Sequence, residues 1–107
     1  MGTFVYGSPE QFCALGDRAL LHLQIVMISK LRRGERFMFR YDPDDTSRPT
    51  EFWMSPEIPL RFLYAENASG NVNFAWLNML VGTVGGSGAL HLLPEPASSR
   101  PELVARS

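Results

Sequence analysis

A chain of 107 residues, 45% hydrophobic and 20% charged, has the size and balance of one globular domain able to bury roughly 65% of its unfolded surface. A net charge of −1 excludes a field that would draw the whole molecule onto nucleic acid or anionic lipid, so any electrostatic recognition has to come from a local patch. Cys13 is the single cysteine, which excludes an internal disulfide and a cysteine-based metal cluster and fits a reducing, cytoplasmic setting.

Thr3 to Tyr6 reads as a strand, closed by the turn Gly7-Ser8-Pro9, and Gln11 to Leu15 as its hairpin partner. Asp17 is placed as the N-cap of a helix, its carboxylate accepting a backbone N–H two or three residues on. The helix ends at Arg32 and Arg33, where cations meet the negative helix end and Gly34 can turn left-handed. At 100° per residue, Ala19, Leu20, Leu21, Leu23, Val26, Met27, Ile28 and Leu31 cover more than half of its wheel. Arg18, His22, Ser29, Arg32 and Arg33 gather on the remaining stripe, which Ile25 interrupts. A helix this apolar calls for cover on two sides, by its own sheet and by a second helix or a partner chain.

Residues Arg36 to Tyr41 alternate as a strand, with Phe37, Phe39 and Tyr41 opposite Arg36, Met38 and Arg40. The turn-rich segment Asp42 to Pro49 leads to a strand at Thr50–Met54, where Phe52 and Met54 face away from Glu51 and Trp53. Pro56 and Pro59 stiffen the connection to a strand at Leu60–Ala65, because neither can donate to a ladder. Asn67 to Asn71 reads as a turn or cap, and Val72 to Val81 as a helix with Phe74, Leu77 and Val81 on one side. Gly82 to Gly88 is expected to break that helix as a flexible connector, and Ala89 to Leu93 to add a last strand. A globular domain over residues 1–93 and a disordered tail over 94–107 follow, since the tail has little to bury. The order β-β-α-β-β-β-α(-β) defines an α+β domain, an antiparallel sheet with two helices in a profilin- or longin-like arrangement. Topology of that kind carries no function with it.

The residues that carry chemistry are few. Lys30, Arg32, Arg33, Arg36 and Arg40 are five of the ten basic residues within eleven positions, a candidate site for phosphates or nucleic acid. The alternative is that Arg32 and Arg33 complete a helix end, and strand alternation turns the neighbouring aromatics away from Arg36 and Arg40. The glycine segment lacks the lysine of a phosphate loop, and His91 stands where a dinucleotide loop needs its last glycine. His22, His91 and Cys13 have no zinc spacing, and Asp42, Asp44 and Asp45 lack the rest of a calcium loop. No metal, cofactor or catalytic residue is therefore assigned. His22 is read as part of a polar patch with Arg18 and Ser29, and Trp53 and Trp76 as core or interface anchors.

Several segments together carry a resemblance: Met1-Gly2-Thr3 with Tyr6-Gly7, Asp17-Arg18, His22-Leu23-Gln24, and the run Lys30 to Glu35. Trp53, Ser55-Pro56, Ile58-Pro59-Leu60, Trp76, Leu90-His91 and Pro94-Glu95-Pro96 complete it. Over residues 1–96 the chain resembles a family of small actinobacterial proteins of unknown function, of which the Lys30 to Glu35 run is the most specific part. Cys13-Ala14-Leu15-Gly16 departs from the more acidic lead-in of that family. Members carry the label of ATP-dependent DNA ligase, but such an enzyme needs a Lys-x-Asp-Gly nucleophile, and Lys30 is followed by Leu31, Arg32 and Arg33. A ligase is therefore not expected.

Two readings follow. The first is a non-enzymatic interaction or self-associating module with Leu21, Ile25, Ile28, Trp53 and Trp76 as interface residues. The second is an accessory protein that binds nucleic acid or phosphate through Lys30, Arg32, Arg33, Arg36 and Arg40. An enzyme ranks last, and no run of apolar residues is long enough for a membrane span.

Overall fold

The computed structural model describes residues 1–42, 48–66 and 71–97. Its elements are β1 (Gly2–Tyr6), β2 (Gln11–Leu15), α1 (Asp17–Arg32), β3 (Phe37–Tyr41), β4 (Thr50–Met54), β5 (Leu60–Leu63), α2 (Phe74–Ser87) and β6 (Ala89–His91). The order is the expected one. The strands are divided between two three-stranded sheets, β2-β1-β5 and β4-β3-β6. All pairings are antiparallel except β3 with β6, whose long connection runs through β4, β5 and α2. The turns expected between Asp42 and Pro49 and between Asn67 and Asn71 fall largely outside the described residues, as does the tail beyond Ala97.

The two sheets share one core, and Phe4 sits at its centre. Its ring meets Phe39 edge-on at 5.6 Å and Phe62 at 5.5 Å, which joins β1 to a strand of the other sheet and to its own neighbour. The predicted alternation holds: Phe37, Phe39, Phe52 and Met54 are buried while Glu51 and Trp53 face out. Two tyrosines link the sheets, Tyr6 donating to the carbonyl of Trp53 at 2.6 Å and Tyr41 to that of Ala14 at 3.0 Å. Each hydroxyl satisfies a strand carbonyl across the sandwich, so the sheets are fixed by hydrogen bonds as well as by burial.

α1 buries Leu20, Leu23, Val26 and Met27, packing on β1 and on α2, so the sheet and the second helix supply its cover. Its C-terminus closes as the sequence implies: Gly34 takes φ 78°, its N–H bonds the Leu31 carbonyl, and the Glu35 N–H bonds that of Lys30. Its N-terminus departs from expectation. Gly16 is the N-cap, without a side-chain bond, and the Asp17 carboxylate instead accepts the N–H groups of Ala65 and Glu66 at 3.2 and 2.9 Å. Asp17 thus anchors the chain after β5, and these N–H donors hold its carboxyl below the usual range. Gly2 makes room for this contact, since a Cβ there would lie 2.7 Å from Asp17 Oδ1, Leu20 Cδ2 and the Leu63 carbonyl.

α2 carries the largest departure. It begins at Asn73, whose side chain accepts the Trp76 N–H, and it continues through Gly82, Gly85 and Gly86 to Ser87. The segment expected to be a flexible connector is helix. Each interior glycine costs about 1 kcal/mol against alanine, so local propensity argues for a break. Tertiary contacts outweigh it: Val84 packs on the core, and the Thr83 hydroxyl donates to the Leu80 carbonyl and accepts the His91 N–H. Gly88, at φ 84° with its N–H on the Val84 carbonyl, then ends the helix. The buried stripe is Trp76 and Leu80; Phe74 and Val81 share a side as expected, but that side faces solvent.

Candidate interaction face

Four of the five cations are neutralised, and a shared acidic partner joins only Lys30 and Arg33. Lys30 and Arg33 both pair with Glu35, at 3.1 and 2.8 Å. Arg36 pairs with Glu57 at 2.9 Å, and Arg40 with Asp42 and Glu51 at 3.2 and 3.3 Å. Glu35 is pulled below its ordinary range first by Arg33 and then by Lys30, the expected consequence of two cations on one carboxylate. Among the described residues Arg32 alone of the five has no acidic partner. The five cations therefore present much less positive field than their sequence density implies.

His22 is not on a polar surface patch. It is fully buried, its ring tilted against that of Trp76 with centroids 4.5 Å apart. Its Nε2 accepts the Asn73 N–H at 3.0 Å, which leaves Nδ1 as the donor to the Arg18 carbonyl at 2.9 Å. Around it lies a latch. Asn73 Nδ2 donates to Glu95 Oε2 and to the Pro96 carbonyl, both at 2.9 Å, while Arg18 grips both Glu95 oxygens at 2.8 Å. The Trp76 indole N–H adds a bond to the Leu93 carbonyl. The strap from Leu92 to Pro96, the start of α2 and the first turns of α1 are thereby one unit, and Pro94–Ala97, assigned to the tail by composition, belong to the described structure. The Arg18 fork, then the Asn73 amide, hold Glu95 down to about 2. Both nitrogens of His22 are spent on backbone groups, so its work is structural.

A recess of about 310 Å³ under the strap is walled by Leu15, Ala19, Trp76 and Leu92, and its charges are paired, Arg40 with Asp42 and Glu95 with Arg18. Among the described residues no three His, Cys, Asp or Glu side chains converge as metal ligands, and no helix is long and apolar enough to cross a membrane.

The outer surface of the helices is of another kind. On α1, Leu21, Ile25 and Ile28 are half-buried and line an open groove of about 530 Å³ with Gln24, Ser29, Arg32 and Arg33. On α2, Phe74 is 69% and Val81 46% exposed, with Met79, Asn78, Gly82 and Gly85 also facing solvent. α2 contains no ionisable residue. Of the interface residues expected from sequence, Trp53 is exposed on the outer side of β4, whereas Trp76 is core and unavailable. Phe74 and Val81 lie outside the interface set expected from sequence, although the chain signals them. Between Glu66 and Glu95 there is no Asp, Glu, Lys or Arg.

Residues 1–95 match the model of a domain of unknown function, DUF7882, and the chain belongs to that family. Searches of the curated proteins and of the solved structures find no similar protein.

Proposed function

We propose that this chain is a cytoplasmic, non-enzymatic protein-interaction module of actinobacterial origin that works through the apolar side chains its helices leave exposed. One observation carries this reading. A surface helix of a lone domain has a polar outer stripe, whereas an apolar helix belongs in an interior. α2 has no charge anywhere and still leaves Phe74 and Val81 in solvent. On α1, Leu21, Ile25 and Ile28 are also partly exposed and line a groove of their own. Lys30 is spent on Glu35 and only 11% exposed, which supports a role apart from nucleotidyl transfer.

The second reading, a nucleic-acid or phosphate binder, rests on Arg32, which has no acidic partner among the described residues and lies beside Arg33. The two readings separate by light scattering at about 50 and about 500 mM salt, with and without short DNA and RNA, because phosphate contacts release counterions and weaken steeply with salt. The interaction module gives a mass that nucleic acid leaves unchanged at either salt, whether the chain alone is a monomer or associates. A nucleic-acid complex that disappears at high salt, and is abolished by Arg32→Glu with Arg33→Glu, overturns it in favour of the second reading.

A further inference from the structure

Resting on that reading, we infer that the occupant of the α2 face is a second copy of this chain, docked antiparallel so that Phe74 of each copy sits over Gly82 and Gly85 of the other. Phe74, Asn78, Val81 and Gly85 fall four, three and four residues apart and form one exposed stripe along the helix. The stripe is bulky at its first residue and bare at its last. A helix shaped this way is complementary to itself when reversed, the condition for a two-fold interface. Neither Gly82 nor Gly85 has a positive φ, and a Cβ on either would meet nothing within 4 Å. With no side chain at either position, the exposed stripe is low at this end of the helix.

Charge selects the same partner. α2 carries no ionisable side chain, so a copy of itself brings no unpaired charge into the contact, whereas a charged surface would be desolvated without compensation. The area sets the strength. With Phe74 69% exposed and an aromatic side chain burying about 150–250 Å² in full, seating it hides roughly 100–170 Å². With Val81, Met79 and the glycine backbone the helix contributes on the order of 400 Å² per copy, below a standard interface and within the weak, transient class. The dimer is therefore concentration-dependent.

The reversed register brings Asn78 next to its counterpart at the two-fold axis. Asn78→Cys tests this in the full chain, with Ser8→Cys, on the β1–β2 turn, as the control and the buried Cys13 left in place. Under mild oxidant Asn78→Cys is expected to form a disulfide-linked dimer and Ser8→Cys to stay a monomer. Gly85→Leu, which puts a bulky side chain where Phe74 of the other copy is to sit and suits a helix, is expected to remain folded and to weaken association about tenfold or more. Equal cross-linking of both cysteine variants, or undiminished association of Gly85→Leu, overturns this register while leaving the interaction reading in place. A wild-type chain that stays monomeric up to about 500 μM, where a weak interface populates its dimer, overturns the second copy as partner. The nucleic-acid experiment decides the broader reading separately.

Discussion

Asn73 is the residue on which α2 and the strap both depend, and replacing it separates two contributions. The side chain is 4% exposed, so water cannot take over its bonds. Its oxygen caps α2 through the Trp76 N–H, a contact worth about 1 kcal/mol. Its amide donates to the Glu95 carboxylate and the Pro96 carbonyl. Glu95 is about a third exposed, so the charged bond falls at the lower end of its class, and the two donors together contribute about 2 kcal/mol. Asn73→Ala loses all three bonds, about 3 kcal/mol, or roughly 15 °C in melting temperature for a domain of this size. Asn73→Ser keeps a capping oxygen and loses only the strap, about 2 kcal/mol. Urea unfolding followed by tryptophan fluorescence measures both, with an unchanged m-value showing that the denatured state is the same. Asn73→Ser as stable as wild type would refute the latch, and Asn73→Ala no worse than Asn73→Ser would refute the cap.

Gly2→Ala places a Cβ 2.7 Å from Asp17 Oδ1, Leu20 Cδ2 and the Leu63 carbonyl, and thermal unfolding is expected to show a loss of about 1–3 kcal/mol. Gly85→Ala, with open space around its Cβ and no positive φ, is expected to gain about 0.5–1 kcal/mol in the same assay, the helix-propensity difference alone. Acid should weaken the fold in a defined window. Glu95 is held at about 2 by Arg18 and then Asn73, so between the ordinary carboxylate value of 4.5 and about 2 the unfolded chain binds more protons. Its contribution is present above that window and lost as pH falls through it; Asp17, Glu35 and Glu57, also lowered, act in the same direction. Urea midpoints measured across that range should fall with pH, and less steeply in Glu95→Gln.

The strands were legible because their information is local. Alternation set the inner faces of β3 and β4, and Gly34 after two arginines set the end of α1. What stayed hidden depends on residues far apart in the chain. Asp17 has the composition of a cap, yet its partners lie 48 and 49 residues away. His22 looks like part of a polar stripe until Asn73 and Trp76 arrive to bury it. The glycines of α2 signal a break by propensity, and only Thr83, Val84 and the return of β6 hold them helical. The cations at 30–40 could be counted from the sequence, but Glu51 and Glu57, which neutralise Arg40 and Arg36, come from the next strand and the turn beyond it. The uncharged stretch between Glu66 and Glu95 was the one legible sign of the α2 face.

The central claim is that α2 presents a functional apolar face, and Phe74→Glu tests it with the fold held constant. Phe74 is the first residue of α2 and 69% exposed, so a carboxylate there costs little burial and suits the positive end of the helix. Sedimentation equilibrium of wild type and Phe74→Glu from about 10 to about 500 μM spans the range where a weak interface fills. The account predicts a wild-type mass that climbs from monomer toward dimer and a variant, equally folded by circular dichroism, that stays at the monomer mass. A variant that associates as wild type does would contradict it.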